Sequence, residues 1–148
     1  MKRKITIGGF TLIETLLSVA LFGIILGVGT PVYQQIQNRN NLGIAAASIA
    51  QSLRRSVVLA RASEVDSNWG VYLQSGSITL YKGSTYESRE TAFDETTDIP
   101  SGINLSGTME YNMVRATGFP SAALPVTIIT YGADERNISV NAKGTVSY

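Results

Sequence analysis

The sequence contains neither cysteine nor histidine. Without cysteine there are no disulfides and no thiolate metal sites, although a secreted domain can also simply lack bridges. Without histidine the commonest general base, the usual metal ligand and the near-neutral pH switch are gone. The two absences together exclude catalytic triads and most catalytic metal centres. The distal part also has no glycine-rich phosphate loop and no Gly-x-Ser-x-Gly elbow. Asp94, Glu95 and Asp98 have the chemistry to chelate Ca²⁺ with loop carbonyls. They lack the spacing and central glycine of an EF-hand, so they read as a solvated acidic loop. No cofactor and no enzyme activity are expected.

Charge is missing from one long stretch. No Asp, Glu, Lys or Arg occurs from Thr15 to Asn38, about 24 residues, enough for a helix to cross a bilayer core. Lys2, Arg3 and Lys4 precede this run, and Gly8-Gly9-Phe10-Thr11-Leu12-Ile13-Glu14 leads into it. Glu14 is the exception, a single acid close to the start of the apolar helix. A carboxylate at a helix centre in lipid costs about 2.5–3.5 kcal/mol even on gentle insertion scales, so Glu14 asks for a partner. The basic cluster should hold its end on the cytoplasmic side, with the domain beyond the helix outside.

The remaining charges are unevenly spread. Arg39, Arg54, Arg55 and Arg61 form an acid-free basic segment, whereas from Ala62 onward ten acids meet five bases, a net charge of about −5. Such a surface repels phosphate backbones, so no nucleic acid is expected as a partner.

A basic leader ending in glycine, then Phe10-Thr11-Leu12-Ile13-Glu14, then an apolar helix, resembles the class III signal of type IV pilins and type II secretion pseudopilins. The resemblance implies that a prepilin peptidase cuts after Gly9 and methylates the new amino terminus at Phe10. It further implies that the freed Phe10 amine pairs with Glu14 of a neighbouring subunit during filament assembly. Its other implied partners are further pilin or pseudopilin subunits, an inner-membrane assembly platform and the lipid bilayer.

The expected organisation is a leader at 1–9, a transmembrane or filament-core half-helix at 10–32, an amphipathic half-helix at 33–62 and a β-sheet domain at 63–148. Gly23, Gly27, Gly29 and Pro31 are costly in a helix interior. They read either as close helix packing at Gly23–Gly27 with a kink near Gly29–Pro31, or as residues merely tolerated in a membrane helix. From Tyr33 the pattern turns amphipathic, with Ile36, Leu42, Ala45, Ile49, Leu53, Val57 and Ala60 on one face. Arg54, Arg55 and Arg61 suit the negative end of the helix dipole better than a phosphate site.

After Ser63 the period changes to two. Trp69–Gln74 and Ser77–Lys82 read as a hairpin across Ser75-Gly76, and Gly83–Pro100 as an acidic loop with at most one short strand. Ile103–Leu105, Met109–Val114 and Val126–Tyr131 are candidate strands. Arg136–Val140 and Thr145–Tyr148 form a last hairpin. Trp69 should plug the core between helix and sheet. Ala60-Arg61-Ala62 followed by Trp69-Gly70-Val71-Tyr72, with the glycine-turned final hairpin, resembles the H-type pseudopilins and related minor pilins.

The fold class expected is therefore α+β, a long N-terminal helix packed on a small antiparallel β-sheet domain, pilin-like. The function expected is a filament subunit. Two rivals are a DNA-binding minor pilin for natural transformation, for which Arg136 and Lys143 would have to serve, and a plain membrane-tethered domain with a retained signal anchor.

Overall fold

The computed structural model describes residues 9–122 and 125–148, and for residues 28–31 the backbone alone. Lys2, Arg3, Lys4 and Gly8 lie outside the described residues, as do the side-chain surroundings of Gly29 and Pro31. Among the described residues one helix, α1, spans Leu12–Arg61, and eight strands follow. The chain divides into two compact units, one ending at Gln37 and the other running from Asn38 to Tyr148.

In the first unit α1 is apolar all round, and its large side chains from Leu12 to Leu26 are exposed. A helix apolar on every face needs an apolar surrounding. By length and composition α1 could cross a membrane. Two of its hydroxyls are satisfied locally: Thr15 Oγ1 donates to the Leu12 carbonyl and Ser18 Oγ to that of Glu14, each at 2.8 Å. This removes the cost of an unpaired polar group in lipid.

In the second unit, α1 buries Leu42, Ala45, Ala46, Ile49, Ala50, Leu53, Val57 and Ala60. Their three- and four-residue steps make one face, and four of the eight are alanines, which let strands approach the helix closely. Ile36, expected on this face, is 54% exposed. It falls in the first unit, whose described residues include no strand.

The strands form two four-stranded antiparallel sheets where one was expected. The first has the order β3-β2-β1-β5, with β1 Trp69–Gln74, β2 Ser77–Lys82, β3 Glu95–Asp98 and β5 Glu110–Met113. The second has the order β4-β6-β7-β8, with β4 Asn104–Gly107, β6 Val126–Tyr131, β7 Asp134–Val140 and β8 Val146–Ser147. The chain changes sheets between β4 and β5. Gly107 there has φ 86, a conformation glycine adopts without steric cost. The two sheets are tied by the Tyr111 and Thr127 hydroxyls, 2.6 Å apart, and Thr127 also donates to the Thr108 carbonyl. Val71, Leu73, Ile78 and Leu80 of the first sheet and Ile129, Ile138 and Val140 of the second share a core with the helix face.

Trp69 is buried in this core, donating from Nε1 to the Glu64 carbonyl at 3.1 Å and meeting Phe93 edge-on. Gly83–Pro100 is more ordered than its polarity suggests. It contains a 3-10 turn at Thr91–Phe93 and the edge strand β3, and residues 83–90 fold over the outer face of the first sheet.

Candidate functional site

The processing junction expected at Gly9–Phe10 precedes the helix and is exposed. What stops the helix from running back through it is local. The Glu14 amide donates to Thr11 Oγ1, and the Thr11 amide donates to Glu14 Oε2, each at 3.4 Å. These long, reciprocal bonds form a capping box, in which a Thr and a Glu three residues later satisfy otherwise orphaned amides. Thr11-x-x-Glu14 is legible in the sequence as this motif. A Cβ added at Gly23 or Gly27 would meet nothing within 4 Å, so no contact among the described residues requires glycine at either position.

In the second unit the basic segment of the helix serves as a set of clamps. Arg39 pairs with Asp134 at 3.5 Å, at the turn between β6 and β7. The Arg54 guanidinium lies 5.3 Å from the ring centre of Tyr148. Arg55 reaches Glu95 of β3 at 2.6 Å. Arg61 donates to the carbonyls of Thr117 at 3.2 Å and Lys143 at 2.8 Å. The helix arginines are thus each engaged with a different part of the β-structure.

The three acids considered for Ca²⁺ are separated by their partners. Asp94 Oδ2 accepts from Arg89 at 2.8 Å, Glu95 faces Arg55, and Asp98 is exposed at the end of β3. Among the described residues no three carboxylates come together as a metal cluster. Arg136 is exposed in β7 beside Glu135, and Lys143 is exposed in the last turn.

The outer face of the first sheet holds a second small cluster that the sequence did not reveal. Tyr86 stacks on Tyr72 with ring centres 4.0 Å apart and meets Tyr81 edge-on. Arg89 covers the other face of Tyr86 at 3.8 Å. Beneath them the Tyr81 hydroxyl donates to Glu110 at 2.7 Å, and the Tyr86 amide donates to the same carboxylate oxygen at 2.7 Å. Burial, reinforced by the Glu110 carboxylate, pushes the Tyr81 phenol well above its ordinary range. Nearby, Lys82 is buried, paired with Glu90 at 2.8 Å and lying over Phe93 at 4.5 Å. These groups pin the loop to the sheet. Each is consumed by a partner, leaving no free nucleophile beside a base.

Two openings in the second unit are shallow and polar. One, between α1 and β3, is lined by Ser48, Gln51, Ser52, Arg55, Glu95 and Thr97 over Leu80. Another, lined by residues including Asp66, Asn68 and Arg115, lies beside the link from helix to first strand. Neither has the apolar walls of a small-molecule site.

No protein-family model matches the chain, and no curated protein does. Among solved structures, it is similar to the minor pseudopilin EpsH from the type 2 secretion system of Vibrio cholerae. The identity is 16%, the TM-score 0.51, and the match covers 71% of this chain and 93% of that one. At that identity the likeness is one of fold. The long N-terminal helix and the two small antiparallel sheets of this chain make a pilin-like fold, consistent with that likeness.

Proposed function

We propose that the chain is a structural filament subunit, a minor pilin or pseudopilin, rather than an enzyme. It is inserted into the membrane as a precursor, with its amino terminus cytoplasmic and its β-domain outside. A prepilin peptidase cuts after Gly9 and methylates Phe10, and the subunit joins other pilin-like subunits in a type IV pilus or a type II secretion pseudopilus.

The observation that carries this reading is the fold likeness to a minor pseudopilin, in a chain whose helix exposes large apolar side chains from Leu12 to Leu26. Lipid before assembly, and neighbouring helices and the assembly platform afterwards, supply the apolar surrounding. Open space at Gly23 and Gly27 suits close approach by a neighbouring helix. In this reading Glu14 has two successive duties. It caps its own helix through Thr11, and after cleavage it meets the Phe10 amine of the next subunit. Leaving one member of a buried charge pair alone costs about 3–5 kcal/mol, which makes the pair selective for register.

N-terminal sequencing of the mature protein tests the proposal. N-methylated Phe10 at the first position is expected, and a mature chain beginning at Met1 overturns it. Gly9→Val should leave a leader-bearing band, whereas normal processing of that variant would argue against the peptidase.

A further inference from the structure

Three cations on one flank of the β-domain have no carboxylate partner among the described residues. Arg54 lies over Tyr148, Arg61 is spent on two carbonyls, and Lys143 is exposed in the last turn. By contrast Arg39, Arg55, Lys82, Arg89 and Arg115 each pair with an acid. Beside the three cations runs β8, the terminal strand of the second sheet.

The opposite flank carries the terminal strand of the first sheet, β3. All four of its residues are exposed, and one edge has no neighbouring strand. Such an edge presents unpaired backbone groups, a template for association. Its ends are acidic: Glu95 is half-exposed although paired with Arg55, and Asp98 is exposed with no ion-pair partner among the described residues. The flanks face apart because successive helix residues diverge by about 100°. Arg54 therefore points to the Tyr148 side while Arg55 points to β3.

The heights of the two flanks along α1 also differ. Glu95 stands level with Arg55, and Thr97 borders the groove that includes Ser48. The Lys143 carbonyl stands level with Arg61, and Tyr148 with Arg54. A second copy displaced along the helix by six residues, or about 9 Å, brings Glu95 level with Lys143 and Asp98 near Arg54.

We infer that the β3 edge of one subunit docks on the Arg54–Arg61–Lys143 flank of a second copy in this staggered arrangement. The contact joins different surfaces of the two copies and is open at both ends, so it propagates as a helix rather than closing as a dimer. Opposite charge across the contact favours this register and repels pairing of like flanks. The inference deepens the filament-subunit reading and rests on it, but the contact can be tested separately.

The chain contains no cysteine, so Thr96→Cys and Ser147→Cys report on this contact alone. Both positions are exposed, one on β3 and one on β8, and neither removes a charge. In cells producing the full chain, a short bis-maleimide should give a ladder of dimers, trimers and higher species for the double variant. Either single variant should give none beyond dimers. Adding Asp98→Arg should reduce the ladder to the single-variant pattern, and further adding Arg54→Asp should restore it. Dimers alone from the double variant, no cross-linking, or a ladder indifferent to Asp98→Arg would each overturn the docking. N-terminal sequencing of the same material separates the two proposals. A ladder from chains that begin at Met1 would support the contact and reject processing into a pilin-like filament. Chains that begin at Phe10 without a ladder would do the reverse.

Discussion

The ring of Tyr81 occupies the space a side chain at Gly70 would need. The two residues are cross-strand partners on β2 and β1, and a Cβ on Gly70 would fall inside the van der Waals envelope of the Tyr81 ring. Gly70→Ala should therefore destabilise the domain by about 1–3 kcal/mol through overpacking. Gly43 makes the opposite case, since a Cβ there meets nothing and the backbone is helical. Gly43→Ala should stabilise by up to about 1 kcal/mol. Denaturant melts of the detergent-solubilised chain compare the two; equal effects would remove the packing argument.

Tyr81 also makes stability depend on alkaline pH. Its phenol is raised above the ordinary value by burial first and by its bond to Glu110 second, and Tyr111 is raised by burial. A raised folded-state value means that the neutral form is preferred in the fold. Its contribution is complete below the unfolded value of about 10 and is lost as pH rises above it, where the unfolded chain gives up its proton first. Melting temperature should fall above pH ~10, less steeply in Tyr81→Phe. An unchanged slope in that variant would place the dependence elsewhere.

Glu14 offers a separation of charge from capping. Glu14→Gln keeps a capping-box side chain and removes the charge, while Thr11→Ala removes the cap and keeps the charge. If the Phe10 amine is the essential partner, both variants are processed but only Thr11→Ala enters sheared filaments. Exclusion of Thr11→Ala together with normal entry of Glu14→Gln would assign the role to helix capping instead.

The helix arginines should differ in worth. Arg61 satisfies two turn carbonyls at once, and charge-assisted bonds of this kind contribute about 1.5–3 kcal/mol each before solvent screening. Arg55 and Glu95 are both about half-exposed, and such pairs are worth about 0–1 kcal/mol. Arg61→Met should lower the melting temperature clearly, with Arg55→Met close to the parent chain. The reverse order would show that the terminal turns do not depend on Arg61.

Much of the fold was legible because its signals are local. The apolar run, the switch to three- and four-residue steps after Tyr33 and the hairpin at Ser75-Gly76 each follow from neighbouring residues. The Thr11–Glu14 cap was equally local and equally readable. The sheet arrangement was less accessible, because β4 and β5 are consecutive in sequence yet pair with β6 and β1. Nothing in either strand names a partner that distant.

By itself, then, the amino-acid order determined the helix from Leu12 to Arg61, its apolar first half, its amphipathic second half and most of the strands. These depend on periodicity and on glycine-bearing turns, both properties of short windows. Tertiary structure alone decided that there are two sheets, that Tyr86 and Arg89 fold the acidic loop onto Tyr72 and Tyr81, and that Arg54 and Arg55 look to opposite flanks. Contacts between residues far apart in sequence set those features, and composition does not encode which charge meets which. The pairing of Phe10 with Glu14 lies one level higher still. Its chemistry can be read from the first residues, but its geometry belongs to the assembly.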